Sequence, residues 1–408
     1  MKKFITVVAL LALVAGSAFA GVTTSTKLQS QANYPGVLVP GSVTGAQTFI
    51  TDITMMSNVA LFEYVGDAYG LTVLKTDLGT FALSASPSLG DNDNMLGLNW
   101  ATALEGMNVA AGILYGVENN GFEAKDDSAI DGNNDFTSYY DQYLGITLGT
   151  ALKGDLALDL SLRFGMGSGQ DLEKDLNADK SLNTTRTNTY SDIVIGAAGR
   201  LGLGDGLSAV LGVDYEMNSS SDKTKVQATN IETEDIYEDS YLTVAALIGK
   251  DIKASESLTV KLASGVIVES DTVGLYTYKT TGATTTYALG DTDTDLYVTI
   301  PLNFAVEGKL NETWTVNSGV SAEIATARAS SVKFLEAADS KSVTEYSTDG
   351  YFDIDPNVGY AIGVTGKIGD LQLDLNVNPN FLITGPNFIS GVTGMNLNTD
   401  IAVVYSWK

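Results

Sequence analysis

"NTDIAVVYSWK" occupies residues 398–408. From Met395 onward every second residue is apolar or aromatic, with Thr399 the exception: Met395, Leu397, Ile401, Val403, Tyr405 and Trp407. Between them stand Asn396, Asn398, Asp400, Ala402, Val404 and Ser406. A β-strand sends successive side chains to opposite faces, so this segment has one greasy face and one mostly polar face. What surrounds the greasy face decides the fold.

The alternation recurs along the chain. "DLQLDLNVN" sets Leu371, Leu373, Leu375 and Val377 against Asp370, Gln372, Asp374 and Asn376. "LALDLSLRFGMG" sets Leu156, Leu158, Leu160, Leu162, Phe164 and Met166 against Ala157, Asp159, Ser161, Arg163 and Gly165. "LYVTIPLNFAVEG" alternates in the same way from Leu296 to Val306. A soluble sandwich would bury the greasy faces in its core. A transmembrane barrel would turn them to lipid and keep a polar lumen. Strands of ten residues or more suit a tilted crossing, whereas soluble strands usually run to about five or six. Gly, Ala, Asn and isolated charges on the second face suit a lumen. The pattern therefore predicts an all-β chain: a transmembrane antiparallel up-and-down β-barrel.

Connection lengths test this independently. Short turns at 76–79, 104–107, 153–155, 203–206, 254–257, 310–313 and 368–370 alternate with long polar connections near 86–94, 119–136, 168–188, 218–239, 271–293, 330–349 and 385–394. Outer-membrane barrels have short periplasmic turns and long external loops. The count is about sixteen strands over 57–408, from 57–65 to 395–407, or fourteen if the short first pair is lost. Pro301 and Pro356 fall inside predicted strands, where a ring without an N–H forces a bulge or a local break. Residues 21–56 hold no steady period and read as a periplasmic lead-in or a segment tucked into the lumen.

The N-terminus, "MKKFITVVALLALVAGSAFA", has the basic start, short apolar run and Ala18-Phe19-Ala20 site of a cleaved secretory signal peptide over 1–20. Gly21 rather than Cys follows, which speaks against a lipid anchor. The charge is −26, and loss of Lys2 and Lys3 takes it to −28, so nucleic acid is excluded as a partner and cations are favoured. The chain has neither Cys nor His. Disulfides, thiolate metal sites and His-based acid–base chemistry are therefore excluded, and no catalytic residue or cofactor is assigned.

The tail resembles the assembly signal of Gram-negative outer-membrane, porin-like barrels, carried here by Ile401, Val403, Tyr405 and Trp407. The departure is Lys408, because such chains usually stop on the aromatic. Long-chain fatty acid transporter barrels are a weaker comparison, since Ser57-Asn58-Val59-Ala60 stands where their Asn-Pro-Ala signature would fall. The resemblance implies an outer-membrane location, recognition by the outer-membrane insertion machinery, and contact with outer-membrane lipids and lipopolysaccharide.

The expected function is passive, porin-like diffusion of small solutes, with ion transport preferring cations. The alternatives are a selective barrel for hydrophobic substrates with an N-terminal plug, or a structural or adhesive surface barrel. The predicted pore-lining acids are Asp159, Asp214, Glu216, Glu307, Glu323, Asp353, Asp355, Asp370, Asp374 and Asp400, the last five forming one acidic wall on adjacent strands. "GDTDTD" places Asp291, Asp293 and Asp295 as weak Ca²⁺ candidates in an oxygen-rich loop, with weak divalent bridging to lipopolysaccharide the plainer reading. Basic residues near the short turns, Arg200 among them, are expected to meet anionic head groups. Whether copies associate into a homo-oligomer is left open.

Overall fold

The computed structural model describes residues 22–65, 67–87, 94–125, 134–152, 157–176, 182–229, 231–281, 284–335, 351–353, 357–377 and 400–407. The expected signal peptide, Asp355, Pro356 and the start of the last predicted strand lie outside these residues. The chain closes into a barrel of sixteen antiparallel strands. They are β1 (Asn58–Val65), β2 (Asp67–Thr76), β3 (Gly79–Pro87), β4 (Asn94–Leu104), β5 (Met107–Lys125), β6 (Asn134–Leu152), β7 (Ala157–Leu176), β8 (Leu182–Gly204), β9 (Leu207–Val226), β10 (Ile231–Lys253), β11 (Leu258–Thr281), β12 (Thr284–Lys309), β13 (Trp314–Leu335), β14 (Tyr351–Asp353 and Asn357–Ile368), β15 (Leu371–Val377) and β16 (Ile401–Trp407). Each pairs with the next, and β1 pairs with β16 from Asn58 opposite Trp407 to Tyr64 opposite Ile401. The hairpin between β8 and β9 turns on Asp205 and Gly206, both at positive φ, the backbone that a two-residue turn matching strand twist requires.

The greasy faces point outward. Leu160, Leu162, Phe164 and Met166 are exposed on β7, while Asp159 and Ser161 are buried. Leu98, Ile113, Leu148, Leu211, Leu302 and Phe304 continue the apolar exterior on other strands. That arrangement excludes a soluble sandwich. On β16, Ile401, Val403, Tyr405 and Trp407 face outward, with the last two rings stacked at 6.1 Å. Ala402, Val404 and Ser406 turn inward and are at most 2% exposed. Neither face of the tail meets water: one meets the bilayer and the other meets protein inside the barrel.

The protein inside is the N-terminal segment. Residues 22–56 fold into two short helices, α1 (Ser25–Gln29) and α2 (Val43–Thr48), and two 3₁₀ turns, Gly36–Leu38 and Ile50–Thr54. Ser42 caps α2 by accepting from the Gly45 N–H at 2.8 Å. Val22, Val43, Ile50, Ile53 and Met56 pack against Val59, Leu61, Leu71, Val73, Ala82 and Val404 of the wall. Leu28, Tyr34, Leu38 and Phe49 pack against Val210, Ala263 and Ala305 on the opposite side. The partners ring the barrel and lie near its short turns, so the segment fills that end of the lumen. It is a plug rather than a periplasmic lead-in. It also explains why β1 and β2 alternate weakly: Val59 and Leu61 meet the plug while Phe62 and Tyr64 face out, so both faces are apolar.

Two expectations change in form. The connections predicted near 168–188, 218–239 and 271–293 are largely strand: β9 has 20 residues, β11 has 24 and β12 has 26. A crossing needs only about 9–11 residues, so the rest of these strands stands beyond the bilayer. The sequence there is mostly polar, so the alternation fades while the backbone ladder continues. The ladder is disturbed at Pro301 as expected. Gly265 and Val266 lack partners on β12, and the register with β13 shifts between Val298 and Ile300. On β14, Asp353 pairs with Thr326 and Asn357 with Glu323, so β14 holds one more residue than its partner across the stretch that contains Pro356.

Face assignment makes a quantitative prediction. Leu162→Arg, near the middle of the crossing, should cost about 2–4 kcal/mol in urea unfolding of the refolded protein. Gln170→Arg, on the same face but beyond the apolar belt, should change stability by less than about 0.5 kcal/mol. Equal costs would show that the belt is misplaced.

Candidate functional site: a plugged lumen with an acidic vestibule

The plug is held by polar contacts that reach around the wall. Arg200 of β8 is 2% exposed and Asp52 of the plug is 0% exposed. The Arg200 guanidinium donates to both oxygens of Asp52, to Asp159 of β7 and, at 3.3 Å, to the Val37 carbonyl. Its Cζ lies 4.5 Å from the centre of the Phe49 ring. Such planar, bidentate pairing suits Arg, and a buried cation needs all of it. Arg200 therefore serves the plug and does not reach the head groups expected for it.

Two carboxylates share this one buried cation. Burial pushes the Asp52 carboxyl above its ordinary value, against the Arg200 charge that lowers it, and Asp159 adds to the rise. Burial likewise raises the Tyr34 phenol, with Asp251 adding to the effect. The Tyr34 hydroxyl donates to the Leu262 carbonyl at 3.2 Å. Elsewhere Thr24 donates to Asp374 at 2.7 Å, the Thr26 N–H donates to Glu63, Asn303 donates to the Ala32 carbonyl at 2.6 Å, and Lys27 pairs with Glu307 at 2.9 Å.

Above the plug the inward residues form continuous cross-strand rows. One runs Asn99, Gly112, Thr147, Arg163, Gly196, Asp214, Thr243, Glu269, Tyr297 from β4 to β12. The next runs Gly97, Leu114, Gly145, Gly165, Val194, Glu216, Tyr241, Asp271, Asp295. The third runs Met95, Gly116, Tyr143, Gly167, Asp192, Asn218, Asp239, Val273 from β4 to β11. The wall over β4–β7 is rich in glycine and carries no carboxylate in these rows, with Arg163 its one charge, while the wall over β8–β12 is acidic. The glycines leave room for long side chains lying along the wall. A Cβ on Gly165 would meet the Tyr143 hydroxyl at 2.1 Å, and one on Gly167 would meet Asp192 Oδ2 at 2.8 Å.

The sequence-predicted acids divide between these two levels. Asp214 and Glu216 lie in the vestibule, where Asp214 pairs with Arg163 at 2.5 Å. Glu323 stands opposite Pro301 on the inward face. Asp159, Glu307 and Asp374 instead hold the plug. Asp370 sits in the turn before β15, and Asp400, just before β16, accepts from Asn376 at 3.0 Å. Asp353 lies in the first segment of β14. The acidic wall proposed for Asp353, Asp355, Asp370, Asp374 and Asp400 is not assembled among the described residues; the assembled one lies on β8–β12. Asp291, Asp293 and Asp295 belong to strand β12, not to a loop, so the ladder engages their backbone carbonyls. No group of three or more potential metal-binding side chains occurs among the described residues.

Asp52 and Glu63 escaped the sequence reading. Asp52 lies in an aperiodic segment, and nothing local marks it as the partner of a residue 148 positions away. Arg200 carried a signal: a lone cation in the Gly/Ala-rich stretch 196–204.

No protein-family model matches the sequence, and no curated protein does. Among solved structures the chain is similar to the ferric yersiniabactin uptake receptor FyuA from Yersinia pestis, at 10% identity and a TM-score of 0.38, over 79% of this chain and 68% of that one. It is also similar to the Pseudomonas putida toluene transporter TodX, at 12% identity and a TM-score of 0.32, over 96% and 94%. The beta domain of the Bordetella autotransporter BrkA gives 13% identity and 0.26, over 74% and 95%. These likenesses extend to barrel architecture and no further. The class the fold defines, on its own strand pairing and apolar exterior, is the transmembrane β-barrel of outer-membrane type.

The plug contact is testable. Arg200→Gln leaves two buried carboxylates without their cation and should destabilise plug docking by about 3–5 kcal/mol. Asp52→Asn leaves the Arg200–Asp159 pair and should cost less. Hydrogen exchange of residues 22–56 should rise in that order while the strand amides stay protected.

Proposed function

We propose that the protein is an outer-membrane channel for small solutes, preferring cations, and closed at its short-turn mouth by residues 22–56. The supporting observation is the acidic inward face of β8–β12, where Asp192, Asp214, Glu216, Asp239, Glu269, Asp271 and Asp295 share three adjacent rows. Of the cations there, Arg163 is engaged by Asp214 and Arg186 by Asp222. Fixed carboxylates between low-dielectric walls concentrate cations. The plug makes steady, porin-like diffusion conditional on its movement.

In this reading the apolar belt lies in outer-membrane lipid, the long ends of β5–β13 stand outside among lipopolysaccharide, and the insertion machinery reads Tyr405 and Trp407. The signal peptide is cleaved on export. No enzymatic step is assigned, because the chain offers neither His nor Cys.

Planar-bilayer recording tests the proposal. The intact protein should conduct weakly or intermittently, and Arg200→Gln should increase the open fraction. The reversal potential should favour K⁺ over Cl⁻, more strongly in dilute salt as the Debye length grows beyond about 10 Å. Anion preference in dilute salt would refute the selectivity, and silence from both proteins would refute the channel.

A further inference from the structure

The plug does not fill the lumen evenly. Between it and the wall of β2–β7 lies a cavity of about 340 Å³. Val43, Ile50 and Ile53 of the plug line one side, and Leu71, Met95 and Leu114 of the wall extend the apolar lining. Gly112 lets the two sides approach. A Cβ there would lie 2.6 Å from Ile50 Cδ1 and would clash with the Asn99 side-chain oxygen. The same glycine therefore brings an apolar tip and an amide group to one place in the lining. A pocket of this size, mostly apolar with a few convergent polar groups, has the form of a small-molecule site.

The lining itself selects the charge of the occupant. Its other polar members are Gln47, Tyr69, Ser84, Ser86, Asn99 and Thr147, neutral amides and hydroxyls that can both donate and accept. Its one charge is Arg163, and that guanidinium is already paired with Asp214 at 2.5 Å. No carboxylate occurs among the described lining residues. An organic ammonium would bring its charge beside Arg163 with no lining acid to meet it. An organic carboxylate would have to take Arg163 from Asp214 and leave that acid without its partner. Burying an unpaired charge costs far more than burying a hydroxyl or carbonyl that finds a hydrogen bond.

We propose that this cavity binds a small uncharged molecule with an apolar body and one hydroxyl or carbonyl group. The body sits on Ile50, Ile53 and Leu71, and the polar group is met by Asn99. The site depends on the docked plug and not on the channel's preference for cations. Plug and wall each supply part of the lining, so the ligand binds only the docked form and holds the plug in place.

Hydrogen exchange of residues 43–53 in the full-length protein tests the site without requiring conduction. The probes are cyclohexanemethanol, cyclohexylmethylammonium and cyclohexanecarboxylate, which share an apolar body and differ in charge. Cyclohexanemethanol should slow plug exchange in proportion to its concentration, by about tenfold at ten times its Kd. At the same concentration the two charged probes should change the rate by less than about twofold. Ala46→Phe fills the cavity from the plug and Ser86→Phe fills it from the wall, and either should abolish the effect. Comparing the three probes on the unmodified protein keeps the test decisive if a variant undocks the plug. Equal slowing by all three, slowing by a charged probe alone, or no slowing by any overturns the proposal, as does slowing that survives both Phe substitutions. Slowing by cyclohexanemethanol without conductance keeps the site and removes the channel. Cation-selective conductance without slowing keeps the channel and removes the site.

Discussion

Pairing of Asn58–Tyr64 with Ile401–Trp407 closes the sheet, and the rest of the structure depends on that ladder. A bilayer offers no water to an unpaired N–H or C=O, so a spanning sheet with an open edge is not viable. Closure fixes which side of every strand is inside. It thereby converts a simple alternation of residue types into an apolar exterior and a lumen, and it places the first crossing beside the last. The N-terminal segment, entering just before β1, is delivered directly into that lumen.

Once inside, the segment changes what the inner wall must be. A water-filled lumen is satisfied by small and polar residues. A protein-filled one needs apolar contacts and paired charges. The wall follows that division by height. Near the short turns it carries Val59, Val73, Ala82, Ala305 and Val404 for packing, and Arg200, Asp159, Asp374 and Glu307 for pairing. Further out it carries glycines on one side and carboxylates on the other. Arg200 is the point where these demands meet. It is buried, shared by two carboxylates and covered by Phe49, and losing it would strand charge in a place with no water to receive it.

The strands of β5–β13 outrun the bilayer, so the barrel rises outside as a tall wall on that side. Its acidic rows lie along the route from the long-strand end to the plug. From that end inward, the carboxylate rows come before the apolar surface that the plug presents at Ile50. The order of contacts, charge first and apolar surface second, is set by the strand register and not by any local motif.

The sequence by itself determined the barrel. Alternation in "LALDLSLRFGMG", "DLQLDLNVN" and the tail follows from the two-residue period of a strand between lipid and lumen, and short turns against long connections gave strand number and direction. Pro301 announced its own break because a missing N–H is a local property. The sequence was silent wherever the environment was the same on both faces. It placed β1 and β2 but under-read the outer parts of β9, β11 and β12, where the sequence is mostly polar. It left residues 21–56 between a periplasmic lead-in and a segment inside the lumen, and put Asp374 in an open wall. Only the tertiary structure decided these, because the partners are far apart in the chain: Thr24 meets Asp374 across 350 residues and Asp52 meets Arg200 across 148. Periodicity records which medium a side chain faces, and it carries no record of which distant residue will be there to meet it.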